Sequence, residues 1–245
     1  MTDLFGGLEP RPNASRRRGV AVAAVAGGAI GLAFFARPYT AVLFALPFVG
    51  HAFWQLRELN HSALLRHGST AALGLLGVAV ALAYNAVVTG DPLTFPYQAF
   101  APADGLGFGR RAILGYERTY TVSLALEATA KNLASYVFRW SVAAPLGVLV
   151  ALGGLASLTA RSDWDPRRLA LAGLFVTIPV GELFFWGTLN VLGDLSDPGD
   201  GLVHLLGPYY HVGLLLPTAT FGAVGLWTLG RRASAFLGET GTRPS

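Results

Sequence analysis

The sequence contains no cysteine, which excludes a disulfide framework and any thiolate metal site. It is also poor in charge. Asp, Glu, Lys and Arg make up 13% of 245 residues, against 53% hydrophobic ones, and the charged share is about half that of an ordinary globular domain. A soluble domain of this length needs more polar surface than those charges supply. The histidines, His51, His61, His67, His204 and His211, include no pair at i,i+4 spacing, so no helical metal site is expected. No Ser–His–acid arrangement is legible, no basic surface suits nucleic acid, and there is no internal repeat or low-complexity tract. The polar start ends in Arg16-Arg17-Arg18, but no small-residue cleavage site then leads into a soluble domain.

What the chain does have is apolar residues in blocks of about 17–25, the length that crosses a bilayer core at 1.5 Å per residue. In hydrocarbon each block must satisfy its own backbone hydrogen bonds, which predicts helix. The expected fold is therefore all-α: a polytopic transmembrane bundle of about six spans, with one long outer loop between spans three and four. Residues 1–18 form a polar cytoplasmic tail, 19–230 the transmembrane domain with its outer loop at 89–132, and 231–245 a second cytoplasmic tail. The spans run at about 19–36, 39–56, 69–88, 133–158, 169–189 and 209–229. Arg37-Pro38 predicts a turn between the first two, because proline disfavours helix before it and arginine is expensive at bilayer depth. One long bent helix through Arg37 is the alternative.

Arginines indicate the orientation. Arg11, Arg16, Arg17, Arg18, Arg57, Arg66, Arg161, Arg167, Arg168, Arg231, Arg232 and Arg243 fall in the tails and two short links. The opposite side holds Arg37, Arg110, Arg111, Arg118, Lys131 and Arg139. The positive-inside rule then predicts a multi-pass cell-membrane protein with both termini cytoplasmic.

The outer stretch is where chemistry is expected. Arg110 and Arg111 with Arg118 could hold a lipid-linked phosphate, since guanidinium pairs with phosphate through parallel hydrogen bonds. Asp91, Asp104 and Glu117 could hold sugar hydroxyls. An interfacial loop whose arginines meet lipid headgroups is the alternative reading of the same residue types. Glu182 lies inside the fifth expected span, where an ionisable side chain is a functional candidate; the alternative is a place near the interface or a bond to a neighbouring helix. Asp194, Asp197 and Asp200 suit either a divalent cation or a solvated acidic loop.

The order of residues also carries a resemblance. Tyr84-Asn85, Thr89-Gly90-Asp91-Pro92, Pro96-Tyr97 and Asp104-x-Leu106-Gly107-Phe108-Gly109 follow one another through the outer stretch. Upstream stand Arg37-Pro38-Tyr39-Thr40-Ala41 and Leu46-Pro47-Phe48; downstream, Gly207-Pro208-x-Tyr210 and Pro217. Together, from about residue 28 to 220, these resemble the C-terminal half of membrane glycosyltransferases of the GT-C class, the dolichyl-phosphate-mannose–protein mannosyltransferase-like group (glycosyltransferase family 39-like). The resemblance implies transfer of a sugar from a polyprenyl-phosphate carrier to an acceptor on the outer face. It implies ligand contacts at Arg37, Tyr97, Arg110, Arg111, Arg118 and Tyr210, and it makes Asp91, Asp104 and Glu117 the candidates for a catalytic acid or base. No cofactor or metal ligand is called for, and a divalent cation stays open. The implied partners are the bilayer, a polyprenyl-phosphate-linked sugar, and a missing N-terminal half or partner subunit.

Two departures qualify the resemblance. No acid stands near the Arg37-Pro38 turn, where the family carries one, and Gly207-Pro208-Tyr209-Tyr210 has tyrosine where the family often has arginine. Residues 1–245 alone are therefore expected to lack transfer activity. The alternatives are a transporter or channel half, for which only Glu182 supplies a mid-membrane charge, and a non-catalytic lipid-binding or accessory membrane protein.

Overall fold

The computed structural model of the chain describes residues 12–58, 60–113, 116–159, 165–192 and 208–240. The described chain is mostly helical and divides into two compact units, Met1–Ala99 and Phe100–Ser245.

The first unit is built on three long helices, α1 (Pro12–Ala36), α2 (Pro38–Leu56) and α3 (His61–Thr89), followed by the single turn α4 (Pro96–Phe100). Arg37 alone separates α1 from α2, so the expected turn is present and the bent-helix alternative is not. Pro38 takes the first helical position, where its missing N–H is no loss. Asn60 caps α3 by accepting the Ser62 N–H at 2.9 Å, and Gly90 closes it in the left-handed conformation at φ 81°. α1 and α3 run parallel, with Gly19 beside Arg66, Gly27 against Thr70 and Gly31 against Gly77. A Cβ on Gly27 or Gly77 would run into the facing backbone, so glycine is what lets these helices approach. Outward-facing side chains stay apolar: Val25 is 73% exposed and Val87 86%. A surface of that character over whole helices is unsuited to water and suited to lipid.

In the second unit an antiparallel hairpin, β1 (Gly109–Ile113) and β2 (Tyr116–Tyr120), leads into α5 (Val122–Ser135). A π-helical turn, Tyr136–Trp140, follows, then α6 (Leu146–Thr159) and α7 (Pro166–Glu182). Two 3-10 segments, Trp186–Leu192 and Tyr209–Leu214, lie between α7 and α8 (Leu215–Thr240). The core collects Tyr120, Ala125, Ala128, Trp186 and Leu189, with Ile113, Leu124 and Leu183 packed on it. α6 and α8 meet backbone to backbone through Gly154 and Gly225, and Tyr136 donates to Thr218 on α8 at 2.7 Å.

Among the described residues, four segments are long and apolar enough to cross a membrane: Arg16–Ala36, Pro38–Leu56, His61–Thr89 and Tyr209–Phe236. These match the first, second, third and sixth expected spans. The other two differ. Where one helix is expected over 133–158, the chain breaks at residues 141–145, with Ala143 at φ 52°. Pro145 has no N–H to donate and disfavours helix at Ala144, which leaves α6 with 14 residues, about 21 Å at the helical rise. The fifth expected span ends at Glu182, short of Leu189, and the segment after it winds as a 3-10 helix. The stretch 89–132, expected as a loop, contains regular elements: the single turn α4, the hairpin and most of α5.

Candidate functional site

The hairpin decides how its charges are presented. Its register sets Arg110 opposite Thr119, Arg111 opposite Arg118 and Ala112 opposite Glu117. Side chains alternate faces along a strand, so Arg110 and Glu117 share one face, while Arg111 and Arg118 share the other with Tyr120. The three arginines therefore do not form one cluster.

Each arginine has its own setting. Arg110 donates to Glu117 at 2.8 Å and forms an exposed ion pair with it. That hydrogen bond and the arginine charge hold the Glu117 carboxyl below its usual range, and the carboxylate in turn raises the Arg110 guanidinium. Arg111 donates to the carbonyls of Leu106, Gly107 at 3.2 Å and Phe108 at 3.1 Å, wrapping the glycine-rich loop that enters β1. Gly107 at φ 87° and Gly109 at φ 112° give that loop backbone angles that suit glycine. Arg118 lies near enough to Glu127 on α5 to add to the lowering of its carboxyl by Lys131, which bonds it at 2.8 Å.

The acids differ as well. Asp91 sits in the turn after α3, accepting the Leu93 N–H at 3.0 Å and the Thr94 hydroxyl at 2.7 Å. Those bonds, Thr94 first, lower its pKa. An exposed carboxylate stabilised in this way is a turn-former and a poor proton acceptor. Asp104, half-buried, accepts the indole N–H of Trp186, 82 residues away in sequence. The Gly107 N–H reaches the Phe184 carbonyl at 2.7 Å and the Tyr120 hydroxyl the Leu183 carbonyl at 3.0 Å, so the hairpin with its entry loop is joined at three points to the segment just after α7. Burial pushes the Tyr120 phenol up from its usual value.

Around this join stand aromatic side chains. Phe108 stacks on Tyr120 at 5.6 Å and also meets Phe184, while Tyr210 sits edge-on to Phe185 at 4.8 Å with Tyr209 beside it. Two ionisable side chains are fully buried nearby in the chain, Glu182 at the end of α7 and His211 in the second 3-10 segment. Glu182 faces the unit's interior. His211 is likewise buried. Asn132 donates to the carbonyls of Ala128 at 2.9 Å and Thr188 at 3.1 Å.

Of the residues singled out from the sequence, Asp104, Arg110, Arg111, Glu117, Arg118 and Tyr210 belong to the second unit, and Arg37, Asp91 and Tyr97 to the first. Tyr97 stacks on Phe95 at 6.1 Å, and Arg37 is half-buried at the α1–α2 turn. Sequence reasoning passed over Tyr120, Asn132, Trp186 and Thr188. For Asn132 a signal existed: Ala125, Ala128, Thr129 and Asn132 recur at helical spacing and form the buried face of α5. Trp186 and Thr188 had none, since their partners are far away in sequence.

Among the described residues no three His, Asp or Glu side chains are grouped to hold a metal ion. Asp194, Asp197, Asp200 and His204 lie outside the described residues. The chain matches no protein-family model, no curated protein and no solved structure.

Proposed function

We propose that this chain is a membrane protein of the GT-C glycosyltransferase type that binds a polyprenyl-phosphate-linked sugar at the outer face and takes part in transferring the sugar to an acceptor. The observation that carries the proposal is the join between hairpin and α7. It holds a half-exposed carboxylate, Asp104, against an indole, on a unit whose hairpin bears arginines and whose last helix is apolar enough to span. A carboxylate, a cation and aromatic faces near a membrane surface are the groups such a substrate needs.

In this reading Arg118 meets the carrier phosphate and Asp104 accepts the acceptor's proton. The acceptor hydroxyl forms the new bond to the anomeric carbon, the bond from that carbon to the phosphate oxygen breaks, and the phosphate leaves with the electron pair. Asp91 and Glu117 are committed elsewhere, Asp91 to its own turn through Leu93 and Thr94 and Glu117 to Arg110. Arg111 supports the site by shaping the loop.

The test is a titration of detergent-solubilised full chain with polyprenyl phosphate. Arg118→Ala is expected to lose roughly ten- to hundred-fold in affinity, the effect of removing one charge-assisted contact. Arg118→Lys should recover only part of that, because the paired geometry is lost. Equal affinity in all three proteins would refute the assignment. Tight binding without any sugar transfer in the same preparation would favour the non-catalytic, accessory reading, which the Arg110–Glu117 pair and the inward-turned Arg111 also fit.

A further inference from the structure

The three long helices of the first unit do not pack evenly. α1 and α3 touch through glycines, whereas α2 is tied to α1 at the one-residue Arg37 turn and meets α3 little. Along the rest of α2 this leaves a cavity of about 740 Å³ against α1 and α3. Its walls are almost wholly apolar, with Ile30, Phe44, Phe48, Ala52 and Leu64 among them. The lining's polar groups are His51, His67 and Thr70, and the Thr70 hydroxyl is already turned to the Ala23 carbonyl at 2.9 Å.

The polar end of this groove coincides with a basic end of the helices. His67 bonds Gln55 at 2.7 Å, forming a rung from α3 to α2. Arg16 bonds His61 at 2.7 Å, Arg66 lies alongside Gly19, and Arg57 lies over the Trp54 ring at 5.0 Å. Glu58 is the one acid described at that end.

We propose that this groove is a binding site for an anionic phospholipid, with an acyl chain lying between α2 and the α1–α3 pair and the phosphate held by Arg57 and Arg66. Apolar walls within a set of spanning helices call for a hydrocarbon occupant. Excess positive charge at one end calls for an anionic headgroup over a zwitterionic one, since basic pockets between spanning helices recognise such headgroups. The same charges argue against a second copy of this chain, which in a symmetric pairing would bring arginines against arginines. The site lies wholly within the first unit and does not depend on the sugar-transfer proposal.

The experiment is native mass spectrometry of the delipidated full chain, titrated with phosphatidylglycerol and with phosphatidylcholine of the same acyl chains. Phosphatidylglycerol is expected to bind at least about ten-fold more tightly. Arg57→Gln and Arg66→Gln should each weaken it about five-fold and leave phosphatidylcholine unchanged. Ala52→Leu, which fills the groove, should weaken both lipids; Val42→Leu, exposed and outside the groove, should weaken neither. If Ala52→Leu fails to fold, the two arginine variants decide alone. Equal affinity for the two lipids would overturn the proposal. So would a preference for phosphatidylglycerol that survives both arginine variants, or a dimer that forms in place of the lipid complex.

Discussion

Arg111 and Asp91 show how much a side chain's role depends on what it touches. By residue type both are candidates for ligand contact, yet Arg111 holds the carbonyls of its own loop and Asp91 holds its own turn. Arg111→Ala is therefore expected to destabilise the second unit by about 1.5–3 kcal/mol, the value of hydrogen bonds from a charged donor. Lysine should restore little, because a single ammonium cannot span those carbonyls. Thermal unfolding of the variants checks this, and an unchanged midpoint in Arg111→Ala would contradict it. For Asp91 the expectation concerns pH. Its folded pKa lies below the ordinary 3.8, so the turn's extra stability is present above that value and is lost as pH falls through the folded pKa. A carbon-13 titration of the Asp91 carboxyl should give a midpoint under 3.8, and Thr94→Val should move it upward.

Among the elements, the glycines separate into those that permit contact and those that do not. Gly77 faces Gly31 so closely that a methyl group would meet backbone, whereas Gly74, on the same helix, has ordinary room. Gly77→Ala should force α1 and α3 apart at about 1–3 kcal/mol, while Gly74→Ala should be close to neutral or slightly stabilising, since alanine favours helix. The second unit repeats the contrast with Gly225, pressed on Val150, and Gly222, which faces open space. Resistance to detergent-induced unfolding ranks the four variants, and equal losses at Gly77 and Gly74 would contradict the packing described. Helix breaks follow local chemistry too. Pro145 divides what hydropathy reads as a single span, and Pro179 precedes the end of α7 by three residues.

For the whole molecule the question is which face of the membrane each part meets. The arginine distribution predicts cytoplasmic termini and an outer hairpin. Because the chain has no cysteine, single cysteines are clean reporters. A cysteine at Ala103 should react with a membrane-impermeant thiol reagent in intact cells, and one at Asp163 should react only after lysis. The reverse pattern would invert the topology and move the proposed transfer site to the cytoplasmic side.

The sequence by itself determined what depends on neighbours in the chain. Block length and hydropathy mark the four helices that, among the described residues, are long and apolar enough to cross a membrane, and Arg37-Pro38 marks the sharp turn, because helix termination and span length are local properties. Even the buried face of α5 is present as a spacing, though Glu127 and Lys131 on its other side disguise it. Tertiary structure alone decided which arginines face together, that Trp186 holds Asp104, and that Glu182 and His211 are buried. Those outcomes depend on strand register and on contacts between residues far apart in sequence. A polar side chain's partner is chosen by whichever distant group the fold brings within hydrogen-bond reach, and periodicity and composition carry no record of that choice.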